Sequence, residues 1–253
     1  MKTLRDCWLI FGRYLDMLLH NPVWVVIGVV QPLLYLLLFA PILKSVAQLP
    51  GFPRGGAYNV FVPGLLVQLG LFSAAGVGFG LIAELRQGVI ERMRVTPVSR
   101  LALLLGRAGR DILMLVVQAL LLIVCALPFG LAISPPGVVI VLALVALIGL
   151  FTASVSYALA LWLKSEDSFA PLIFTAALPI LLLSGVLLPL ALAPLWLRDI
   201  AKANPLAYAV DAARAVFNQQ LTDPSVVKGV VIMAVLAALA IAWAARSFGR
   251  AVA

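Results

Sequence analysis

Six runs of this chain carry no Asp, Glu, Lys or Arg: residues 23–43, 58–83, 112–133, 137–163, 168–197 and 229–245. A hydrocarbon layer of ~30 Å is crossed by about 20 apolar residues in a helix, which pairs its own backbone polar groups where no water can. Five of the runs reach that length, and the sixth, with 17 residues, stands at the lower limit. Such a chain folds as an all-α integral membrane protein with six transmembrane helices, in one domain covering residues 1–253. A soluble core could not hide these runs. Composition agrees: 64% of the 253 residues are apolar and 11% charged, with a mean hydropathy of +1.15, against about 25% charged in soluble domains.

The segments between the runs set the topology. Over residues 2–20, Lys2, Arg5, Asp6, Gly12, Arg13, Asp16 and His20 fall in one helical sector. Leu4, Cys7, Trp8, Phe11, Tyr14, Leu15 and Leu18 face the other way, and Leu9 is the misfit. Residues 1–21 therefore read as an amphipathic interfacial helix, and its interspersed charges set it apart from a signal peptide. His20 is expected as a solvated cap. Cys7 and Cys125 lie toward opposite membrane faces, which excludes a disulfide. The turn formed by Ser134, Pro135 and Pro136 separates the third and fourth crossings. The fifth run would extend about 45 Å as one helix, more than the hydrocarbon is thick, so it must break. Pro171, Pro179, Gly185, Pro189 and Pro194 offer the places. We expect spans at 23–43, 58–83, 112–133, 137–163, 168–188 and 229–245, with an outer re-entrant region at 189–222. Placing both termini in the cytoplasm assigns that side 12 of the 18 basic residues, as the positive-inside rule requires. The net charge of +8 is thus a topology signal rather than a nucleic-acid patch.

Two segments sharpen this picture. Glu84, Gly88 and Glu91 share a helical face by spacing, in a helix that Pro97 would end. Such a charged helix between the second and third crossings transmits a partner's movement, or is simply a solvated loop. The second, residues 184–214, breaks its helices at membrane depth, where freed backbone groups need partners inside the protein. A passive surface loop is its other reading. Within the spans Gln31, Gln68, Ser73, Thr152, Ser156 and Thr175 line a candidate substrate path, or make interhelical hydrogen bonds.

On these pieces the chain resembles the type-2 ABC exporter permeases, which include daunorubicin-resistance-type drug permeases and permeases for capsule, O-antigen and nodulation oligosaccharides. The matching residues are Asn21–Pro22 and Gln31–Pro32, then Pro63–Gly64, then Glu84, Gly88, Glu91, Thr96 and Pro97. The longest piece runs from LLSGVLLPL to NPLAYAVDAAR. The resemblance implies a coupling helix at 84–98 that seats in a groove of an ATPase, involving Glu84, Leu85, Arg86, Gln87, Gly88, Glu91, Arg92, Thr96 and Pro97. It also implies short outer helices dipping back into the membrane, marked by Ser184, Gly185, Pro189, Pro194, Asn204, Pro205, Tyr208, Asp211 and Arg214. The acidic–basic pair usual before the glycine is replaced here by Arg86 and Gln87.

The sequence has no GxxxxGK[ST] loop, so ATP and Mg are expected on a separate ATPase subunit, in two copies. No cofactor, metal or catalytic set is expected on this chain. A second permease chain, identical or related, would complete a pathway across the plasma membrane. The expected cargo is hydrophobic or amphipathic, a drug or lipid; a polysaccharide permease is the alternative. An ion-gradient-driven transporter is disfavoured because no ionisable residue is expected inside the six spans.

Overall fold

The computed structural model describes residues 2–20, 23–46, 56–88, 100–186, 190 and 193–251. Apart from one short 3-10 turn, every regular element among them is an α-helix. These are α1 (Lys2–Leu19), α2 (Val23–Val46), α3 (Gly56–Ala75), α4 (Val77–Arg86), α5 (Arg100–Ala126), α6 (Pro135–Leu163), α7 (Glu166–Leu182), α8 (Leu195–Ala201), α9 (Pro205–Phe217) and α10 (Pro224–Ala251). Among the described residues, four stretches are long and apolar enough to cross a membrane: Gly56–Arg86, Ala102–Phe129, Pro135–Leu163 and Pro224–Gly249. The first and fifth uncharged runs form α2 and α7.

Helix α6 is the post around which the others stand, touching α3, α4, α5, α7, α9 and α10. Its buried side includes the small residues Gly149, Ala153, Ser156 and Ala160, which let neighbouring helices approach closely. Ser134 caps its start by accepting from the Gly137 amide, and Pro135 and Pro136 occupy the first turn, where a missing N–H is harmless. The expected Ser134–Pro136 turn is thus a helix start. The chain reverses earlier, at Gly130.

Three buried layers stack along the bundle. Leu81, Tyr157, Phe169 and Phe248 fill the end near α1; Val67, Ile148, Val210 and Met233 fill the middle; Phe61, Leu122, Val141 and Phe217 fill the far end. The outside is apolar as well: Ile27 and Leu34 on α2, Leu121 and Val124 on α5, Leu178 and Leu182 on α7, and Val231 and Leu239 on α10 are exposed. Water does not tolerate so large an apolar surface, whereas lipid does. Exposed tryptophans mark both levels, Trp8, Trp162 and Trp243 near the α1 end and Trp196 near the other, as in membrane-interface belts.

Several boundaries depart from the sequence reading. The second run is two helices, broken at Gly76. Helix α5 begins at Arg100 rather than 112. Helix α7 stops at Leu182, six residues before the expected Leu188, because the chain turns at Gly185, where φ is +73°. The last helix has 28 residues and is not marginal in length. On α1 the buried stripe is Ile10 and Tyr14, with Cys7 beside it, while Trp8 and Leu9 face outward. Protein packing, absent from a hydropathy wheel, selects that face.

Candidate functional site

Where α1, α4, α5 and α6 meet, charged side chains turn inward. Glu84 accepts hydrogen bonds from Tyr14 Oη at 2.9 Å and from Arg107 Nη1 at 2.5 Å. The Arg107 guanidinium also lies 5.2 Å from the Tyr14 ring centre and 5.5 Å from that of Tyr157, within cation–π range. The Tyr157 hydroxyl donates to Asp111, which Arg110 Nη1 meets at 2.6 Å. The Arg107 and Asp111 side chains are 8% and 7% exposed. Unpaired charges could not stay there; mutual pairing and added hydrogen bonds make them tolerable. Burial, opposed by Arg107 and aided by Glu84, pushes the Tyr14 hydroxyl up to about 12, so it remains a donor at any physiological pH.

Arg107, Arg110 and Asp111 lie on the part of α5 that precedes the uncharged run 112–133. Their pairing is not legible in the sequence, where a solvated arginine and a paired one look alike.

Helix α4 ends two residues after Glu84, at Arg86. Leu85 packs on the core, and Arg86 reaches Glu166 at the start of α7 in an exposed ion pair of 3.2 Å. Gln87 caps the helix and Gly88 takes φ +65°. A single helical face through Glu84 and Gly88 is therefore broken at the glycine, since its left-handed backbone ends the helix. Glu91, Arg92, Thr96 and Pro97 lie outside the described residues.

At the far end the partners are backbone carbonyls. Arg214, 8% exposed on α9, donates from Nε to the Val60 carbonyl at 3.1 Å and from Nη2 to the Gly185 carbonyl at 2.7 Å. Ser184 Oγ donates to the Leu181 carbonyl. Asn204 caps α9 through the Leu206 amide, ahead of Pro205 in the first turn, and donates at 2.7 Å to the Ile180 carbonyl, near the end of α7. The last carbonyls of a helix lack helical donors, so these side chains stand in for the broken ladder. Gly64, following Pro63 in α3, lets the Val186 carbonyl come so close that a Cβ would collide with it. Ser184, Gly185, Asn204 and Arg214 are thus brought together. Tyr208 instead donates to the Lys202 carbonyl, Asp211 is exposed, Pro194 precedes α8, and Pro189 lies outside the described residues. Asn59 was missed by sequence reasoning: it donates to the Phe217 carbonyl at 3.1 Å and accepts from the Ala132 amide at 3.3 Å. Its only signal was an amide within an uncharged run.

The polar residues of the candidate substrate path do not converge. Gln31 and Thr175 are exposed on α2 and α7. Ser73 donates to Gln118, and Thr152 to the Ile148 carbonyl of its own helix. Ser156 staples the α3–α4 break, donating to the Ala75 carbonyl and accepting from the Gly78 amide. Gln68 is buried with its Oε1 unpartnered. His20, exposed at the end of α1, places Nδ1 2.7 Å from the Asp16 carbonyl oxygen, and Cys7 and Cys125 are free thiols.

Residues 5–218 match the family described as "ABC-2 type transporter", a stretch that contains both clusters. A Porphyra purpurea protein named "Putative transport permease ycf38" is 28% identical over 202 residues, 79% of this chain and 69% of that protein. A Cyanophora paradoxa protein of the same name is 26% identical over 219 residues, 85% of this chain and 75% of its relative.

Proposed function

The chain belongs to the ABC-2 type transporter family, and from that premise we propose that it is the permease half of an exporter moving a hydrophobic or amphipathic cargo out of the cell. The family makes it a membrane subunit of an ABC transporter rather than an enzyme, and implies a partner ATPase. In our reading two ATPase copies bind ATP and Mg, two permease chains enclose the path, six helices of each cross the plasma membrane, and both termini are cytoplasmic.

The observation that carries this reading is the junction at Glu84. The segment 84–97, assigned to ATPase contact, begins on a carboxylate held by α1 through Tyr14 and by α5 through Arg107. A push on Glu84 reaches α1 through Tyr14, α5 through Arg107 and, from Arg107 through Tyr157, α6. Nucleotide-driven closure of the ATPases would thereby shift the helices that line the path. At the outer end, the short helices held by Arg214 and Asn204 form the exit. Co-purification of the chain with its ATPase, and stimulation of that ATPase by cargo, tests the assignment. Gly88→Pro and Glu91→Ala should each abolish the stimulated rate while leaving the complex assembled. Full stimulation in both variants would remove segment 84–97 from the coupling path.

A further inference from the structure

Away from both clusters, α6 and α10 leave a groove of about 540 Å³ between their ends, lined by Leu159, Leu161, Trp162, Lys164, Trp243 and Ser247 among others. We propose that this groove binds an anionic phospholipid from the leaflet on the α1 side, its phosphate on Lys164 and Ser247 and its acyl chains against the tryptophans.

The walls match such a ligand. Trp162 and Trp243 are 76% and 46% exposed, with the amphipathic rings that settle at headgroup depth. Among the described residues, Lys164 is the only charged one lining the groove, and no carboxylate enters it. The neighbouring Arg86 and Glu166 neutralise each other. Among the described residues, neither the Lys164 ammonium nor the Ser247 hydroxyl has a hydrogen-bond partner. Arg246, exposed beside Ser247, adds a second cation at this level. Basic grooves between membrane helices of this kind suit acidic headgroups.

Lys164 also occupies an unusual backbone state. It closes α6 with φ +53°, the left-handed position that helices normally give to glycine or asparagine. A lysine there is strained, and strain that is kept points to a use for the side chain. A second copy of this chain docking on the groove by twofold symmetry would bring the cations of both copies together, which disfavours that occupant.

The proposal rests only on α6 and α10 crossing the membrane, and its test needs no ATPase, so its failure leaves the transport reading untouched. The full chain, purified in detergent, is incubated with phosphatidylglycerol or phosphatidylcholine of equal acyl length, and retained lipid is counted by native mass spectrometry. Wild type should retain phosphatidylglycerol about fivefold better, the preference expected of one basic residue at an acidic headgroup. Lys164→Gly suits the left-handed backbone, keeps the helix end and should bring the two lipids to parity. Lys164→Arg should keep the preference, and Trp162→Ala should weaken retention of both lipids. No preference in wild type, or one unchanged in Lys164→Gly, would overturn the proposal. So would displacement by soluble glycerol phosphate as effective as by lipid, or dimers that dissociate in Lys164→Gly.

Discussion

The two ends of the bundle hold their buried cations in different ways. Near α1, Arg107 and Arg110 face carboxylates and tyrosines from four helices. At the far end, the hydrogen-bond acceptors of Arg214 among the described residues are backbone carbonyls, on α3 and on the turn after α7, while Asp211 supplies charge from the same helix. Side chains paired with side chains make a joint between elements distant in sequence. Side chains paired with backbone repair a chain that had to break inside the membrane. The first arrangement suits transmission of movement, the second a fixed shape at the mouth of a path.

Substitutions at the two ends should separate these roles. Arg107→Met leaves the part-buried Glu84 without its cation, and should lower stability by up to about 3–5 kcal/mol, read as the unfolding midpoint in detergent. Adding Glu84→Gln should recover much of that loss, because the uncompensated charge is then gone. Arg214→Met strands two carbonyls and should cost about 1.5–3 kcal/mol. Arg214→Lys should recover less than half, since an ammonium cannot match the two-pronged guanidinium. Equal rescue by lysine would mean that only charge matters at the far end.

A smaller effect, about 1–2 kcal/mol, is expected of Tyr14→Phe, which removes the donor to Glu84 but keeps the ring beneath Arg107. It should appear as faster hydrogen exchange confined to α1 and α4. Glu166→Gln should be nearly silent, below about 1 kcal/mol, because the Arg86–Glu166 pair is exposed. A large loss there would show that exposed charges also bear weight at the α1 end, and would blur the contrast.

Hydropathy made the helices legible, since each of the six uncharged runs lies mostly on helix where it is described. It does not show that α5 starts at Arg100 and carries Arg107, Arg110 and Asp111, because it cannot tell an arginine in water from one paired inside protein. Tyr14 and Tyr157 are far from Arg107 in sequence, and only the packing of α1 and α6 on α5 brings them together. The prolines and glycines of segment 184–214 correctly announced broken helices. The acceptors of Arg214 were illegible, because a carbonyl has no side-chain signature. The bonds from Tyr14 and Arg107 to Glu84 were equally illegible, because the donors come from other helices.

The driving force of transport is what most needs measuring. Vesicles reconstituted with this chain and its ATPase would be loaded with an amphipathic dye, and translocation followed with ATP or with a proton or sodium gradient. The account predicts movement with ATP and none with either gradient alone. Translocation by a gradient without ATP, undiminished when the ATPase is left out, would contradict it.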